Sequence, residues 1–153
     1  MKRSVGVILA TIVLVGSGAG VASAARPTGM VAGTFTYRPF DGTAVRSGSI
    51  AGVDTPRQKG VWSWQDRSGP ITCLVVDGQD AWLAGPGTSG PDTGVFIHVH
   101  DGGLGAAGDL ATAWGQDPGQ PLDELVEWCE TQATHVPLFP IDSGSVTVKA
   151  LPE

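Results

Sequence analysis

The sequence predicts an all-β domain: a small antiparallel barrel (or sandwich) of about eight strands, with one short helix near the C-terminal part and one disulfide. Three observations carry this. Apolar and polar residues alternate with period 2 through most of the chain after residue 24. Gly, Pro and Asp punctuate the alternating runs, and a single segment after Pro121 switches to helical spacing.

In Val31 to Arg38, Val31, Phe35 and Tyr37 share one face, with Thr34, Thr36 and Arg38 on the other, so this strand covers a core on one side only. Val45 to Val53 is a weaker strand rich in Gly and Ser. Gly60 to Gln65 places Trp62 and Trp64 on the same face. Ile71 to Val76 is apolar on both faces and is expected to be covered on both, as a central strand of the sheet. The turn Asp77-Gly78-Gln79-Asp80 leads into Ala81 to Ala84 and makes a hairpin. After the Gly- and Pro-rich stretch 85–94 comes Val95 to His100, with Val95, Ile97 and Val99 opposite Phe96, His98 and His100. Leu110 to Trp114 and Ser145 to Ala150 complete the set, and the first and last strands are expected to pair and close a barrel.

Pro121 opens the helix. Leu122, Leu125, Val126 and Cys129 follow at i, i+3, i+4 and i+7, while Asp123, Glu124 and Glu127 point away. This puts Cys129 on the buried face. Cys73 and Cys129 are the 2 cysteines, and an even count in an exported chain reads as a disulfide.

Export is predicted from the N-terminus. Lys2 and Arg3 precede an apolar run from Val5 to Val15, and Ala22-Ser23-Ala24 supplies the small residues a signal peptidase accepts. Residues 1–24 read as a signal peptide and 25–153 as a single secreted β-rich domain. The apolar run falls short of the roughly 18 residues a spanning helix needs, so the membrane is met only through the signal peptide before cleavage. Of 9 basic residues, Lys2 and Arg3 leave with the peptide, so 7 face all 15 acidic ones and the mature net charge is −8. Nucleic acid and anionic membrane surfaces are excluded as partners on that balance, since both need clustered cations.

His98 and His100 stand two apart on one strand, which points both imidazoles the same way, and Asp109 is the candidate third metal ligand. His98-Val99-His100-Asp101 resembles the start of the copper/zinc superoxide dismutase metal site, but that family needs several further histidines and only His135 follows. Asp77, Asp80, Asp101 and Asp109 lie beside glycines, a pattern of turns and also of calcium ligands, without the alternating acidic spacing of a calcium loop. Zinc, copper and calcium are thus the candidate cofactors, and the leading expectation is none. Trp62 and Trp64 are the candidate ligand-binding rings, weighed against the core role usual for tryptophans in a small domain. No Gly-x-Ser-x-Gly elbow is present, and the histidines have no obvious Ser or Cys partner, so nothing points to nucleophilic catalysis.

Gly33-Thr34-Phe35-Thr36-Tyr37, the run Cys73 to Gly78 with Trp82, His100-Asp101-Gly102-Gly103 with Gly108-Asp109, and Trp128-Cys129 together resemble small secreted β-domain proteins of high-GC Gram-positive (actinobacterial-type) bacteria. That resemblance implies the fold and the compartment and transfers no activity. The expected function is a non-catalytic extracellular ligand-binding or interaction module for a small molecule, a glycan or a protein. The alternative is a metal-binding protein or simple metal-dependent enzyme using His98 and His100.

Overall fold

The computed structural model describes residues 28–40, 42–56, 59–103 and 105–152; the expected signal peptide lies outside them. Nine strands form one antiparallel sheet: β1 Gly29–Tyr37, β2 Arg46–Val53, β3 Gly60–Trp64, β4 Arg67–Pro70, β5 Cys73–Asp77, β6 Asp80–Gly85, β7 Val95–His100, β8 Leu110–Gly115 and β9 Phe139–Ala150. Helix α1, Leu122–Glu130, lies between β8 and β9 in sequence. The order across the sheet is β4-β3-β2-β1-β9-β8-β7-β6-β5.

β4 and β5 are the two edges of that order, yet only Ile71 and Thr72 separate them in the chain. The sheet must therefore curl until its edges approach, and it forms a half-barrel. Ile71 donates to the Gly60 carbonyl at 2.8 Å and Thr72 to that of Ala84 at 2.9 Å, extending the β3–β4 and β5–β6 ladders up to the seam, and Thr88 donates to Ser68 across it at 2.9 Å. The closeness demands glycine: a Cβ on Gly85 collides with the Pro70 carbonyl, and one on Gly69 with that of Pro86.

The first and last strands do pair, from Gly29 opposite Ala150 to Phe35 opposite Gly144, with a register shift between Thr36 and Tyr37. That pairing sits in the middle of the sheet, so the open seam falls between β4 and β5. Alternation places Val31, Phe35 and Tyr37 inward from β1, Val95, Ile97 and Val99 from β7, and Val146 and Val148 from β9, all in one interior cluster.

The outer face of β5 to β7 is the second apolar surface. Cys73, Trp82, Ala84 and Phe96 project there and meet Leu125 and Cys129 of α1. This explains a β7 buried on both faces from Val95 to Val99. α1 begins at Pro121, whose φ of −63° suits a helix start, and Asp123 and Glu124 meet the positive end of its dipole. Nine residues are too few for an independent helix. Burial of Leu125 and the Cys73–Cys129 bond, with Cα atoms 6.3 Å apart, hold it in place. β5 is covered on both sides as expected, with the disulfide pinning the helix over one face and the curled interior covering the other; it lies at an edge of the strand order and not at its centre.

Candidate ligand-binding cavity

β9 begins late beside β8: only Leu110 opposite Pro140 and Ala111 opposite Phe139 pair between them. Residues 112–115 of β8 thus have no strand on that side. Tyr37 reaches across from β1 to fill part of the gap, its hydroxyl accepting the Ala113 N–H at 2.9 Å and donating to the Ala113 carbonyl at 3.4 Å. Burial pushes the Tyr37 phenol above its ordinary pKa, so it remains a neutral donor and acceptor.

Next to this gap is a cavity of about 360 Å³. One wall is aromatic. Tyr37 stacks on Phe139 with centroids 5.9 Å apart, and Phe40, 79% exposed, meets Phe139 edge-on at 5.2 Å. The opposite wall comes from the β3–β4 hairpin, where Trp64 and Arg67 are cross-strand partners flanking the turn Gln65-Asp66. Arg46 of β2 holds its guanidinium 5.8 Å from the Trp64 ring centroid. Gly115 of β8 closes the floor. A Cβ there would lie 2.8 Å from both Arg67 Nη1 and Trp64 Cζ3, so the backbone approaches this pair as only glycine permits.

Two donors at this wall are unusual. Trp64 Nε1 and Arg67 Nη1 are buried and make no hydrogen bond of good geometry, the Trp64 indole meeting the Tyr37 hydroxyl only closely enough to counter part of the burial effect on that phenol. An orphaned buried donor costs about 1–3 kcal/mol, more when charged, and such groups are normally paired. Two other tryptophans keep the rule: Trp62 donates to the Pro70 carbonyl at 3.1 Å and Trp82 to that of Ala133 at 3.3 Å.

The two tryptophans picked from the sequence therefore part company. Trp64 lines the cavity, whereas Trp62 is 2% exposed within the interior cluster and is a core residue, because the curl of the half-barrel closes over it. Arg46, Arg67 and Phe139 were missed. Isolated arginines read as solvated surface, and nothing in the local pattern shows that Arg67 faces Trp64 across a hairpin.

The histidines occupy the outer face of β7. His98 Nε2 and His100 Nδ1 lie 2.9 and 3.1 Å from the two oxygens of Asp80, so one carboxylate ties both rings. A carboxylate only accepts, which fixes the proton on those nitrogens and leaves the buried His98 Nδ1 as an unpartnered acceptor. His98 also stacks on Trp82 at 4.5 Å. Asp109 does not join them. It is 1% exposed and accepts backbone N–H bonds from Gly102 at 2.9 Å and Val146 at 3.0 Å. Asp101 similarly accepts from Gly103 and Val148, both at 2.9 Å. These two aspartates bond the amides of β9 where β8 no longer pairs with it. Among the described residues no group of three or more His, Cys, Asp or Glu side chains is placed to hold a metal ion.

Burial holds the His98 pKa below 6.5, against the opposing pull of Asp80. The unfolded chain therefore binds this proton more readily than the folded one. The contribution is complete above about pH 6.5 and is lost as pH falls through the lower folded value. Urea melts between pH 7 and about 5 should show stability declining with acid, and a shallower decline in His98→Gln; equal slopes would remove His98 as the cause.

Compared with known proteins, the chain matches no protein-family model, no curated protein and no solved structure.

Proposed function

We propose that the protein is a secreted, non-catalytic binding module whose ligand is a small molecule held in the cavity between the β3–β4 hairpin and β8. The observation that carries this reading is the pair of buried donors without a hydrogen bond of good geometry, Trp64 Nε1 and Arg67 Nη1, in an aromatic-walled cavity. A ligand acceptor supplies what the fold leaves unmade. Binding without turnover is supported by the lining, which among the described residues holds no Ser, Cys, His or Lys and has Asp117 as its one acid. Export is supported by the disulfide and by the charged, apolar and small-residue segments of residues 1–24. Among the described residues no helix is long and apolar enough to cross a membrane.

The test is calorimetric titration of the purified protein with small cyclic compounds and soluble oligosaccharides. Saturable binding of one class, weakened about tenfold or more in Trp64→Phe and accompanied by no chemical change in the ligand, is the expected result. Binding unaffected by Trp64→Phe would place the site elsewhere.

A further inference from the structure

The chemistry of the cavity narrows the ligand further, on the premise that the cavity is the binding site. We infer that the ligand is an oxyanion carried on a flat ring system, held by Arg67, Trp64 and Arg46.

The two orphaned donors belong to cross-strand neighbours that both line the cavity. One of the two is a guanidinium, which forms its strongest hydrogen bonds with carboxylate or phosphate oxygens. Arg46, 5.8 Å from the Trp64 ring centroid, adds a second positive charge. The distribution of cations supports the assignment. Arg38 is matched to Asp142 at 2.8 Å and Lys59 to Asp54 at 2.6 Å. Among the described residues, Arg46, Arg67 and Lys149 pair with no carboxylate, and the two arginines both stand at this cavity. In a chain of net charge −6, two unmatched arginines at one cavity are a local reversal of the overall field. Asp117 is the acidic residue of the lining; it is exposed, at the rim, and its backbone N–H is taken by Gln120.

The remainder of the ligand is set by the walls. Tyr37, Phe139, Trp64 and Trp114 present ring faces and edges, which favour a flat apolar body over a bare inorganic ion. A volume of about 360 Å³ is at the small end of ligand sites, which suits one or two fused rings.

The experiment compares acids with their neutral amides. Indole-3-acetate, benzoate and phenyl phosphate are titrated calorimetrically into the wild-type protein at low salt, beside indole-3-acetamide and benzamide. Fragment-sized ligands of this kind reach dissociation constants on the order of 0.1–1 mM. At least one of the acids should bind about tenfold or more tightly than the amides, and the better of carboxylate and phosphate identifies the oxyanion. Arg67→Gln should abolish the preference while leaving the weak amide binding in place, and Arg46→Gln should reduce it. Lys59→Gln, at the ion pair with Asp54 outside the cavity lining, should leave it intact. Should Arg67→Gln fold poorly by thermal melt, Arg46→Gln and the salt dependence of wild-type binding carry the test. Equal affinity for acids and amides would overturn the inference and leave the binding reading standing. Acid preference surviving both arginine variants would also overturn it, and absence of any saturable binding would remove both readings.

Discussion

Changing both Cys73 and Cys129 to Ser should lower the stability of the folded protein by about 4 kcal/mol and its melting temperature by roughly 10–20 °C. The closed loop spans 56 residues, and the chain-entropy relation gives that figure for a loop of this length. Local structure points the same way. The bond joins an edge strand of the sheet to a nine-residue helix that has no side-chain cap at its N-terminus. Losing it leaves α1 held by Leu125 and its partly buried neighbours against Trp82, Ala84 and Phe96. Hydrogen exchange in α1 and β5 should therefore accelerate more than in β1 and β9, which are paired over their length. Urea melts of the double variant, and of the wild type with and without reductant, measure the effect. A loss under about 1 kcal/mol would show that burial alone docks the helix.

The second large effect is expected at Asp109. Asp109→Ala should cost about 3 kcal/mol, because the buried amide of Val146 and the partly buried one of Gly102 lose their acceptor together. Asp109→Asn retains one oxygen and should cost less. The pair distinguishes the structural role from the metal-ligand role that the residue's position near His98 and His100 suggests in sequence. Chelator should leave the wild-type melting temperature unchanged, and zinc should not narrow the gap between wild type and Asp109→Ala. A chelator-dependent loss in the wild type that Asp109→Ala abolishes would restore the metal reading.

Period-2 alternation located β1, β7 and the second half of β9 because each has one face in the interior and a distinct environment opposite. Helical spacing located α1 and the buried side of Cys129 for the same reason. Two pieces escaped it. β4 is Arg-Ser-Gly-Pro, four residues with no apolar alternation, and it exists because the curl needs a narrow edge at the seam. The first half of β9, Phe139 to Gly144, contains Pro140 and Gly144 and is largely exposed, so its pairing is set by neighbours and leaves little trace in its own pattern. These two pieces are also the ones that build the cavity. β4 contributes Arg67, and the late start of β9 opens the wall beside β8 that Tyr37 partly fills. Of the candidates visible in local spacing, Trp64 belongs to the site, while His98 and His100 are tied to Asp80 and Trp62 is buried in the core; the rest of the site was hidden for the reason the strands were, because it depends on long-range register.

Indole resonances give the most direct test of the cavity as the binding site. In a proton–nitrogen correlation spectrum of the labelled protein, the indole N–H groups of Trp62 and Trp82 are already bonded to carbonyls, while that of Trp64 makes no hydrogen bond of good geometry. Titration with the tightest binder among the compounds above should move the Trp64 indole signal furthest, in the direction of a new hydrogen bond, with Trp62 and Trp82 almost stationary. Saturable binding that leaves the Trp64 indole unmoved would contradict the account and place the ligand away from the β3–β4 hairpin.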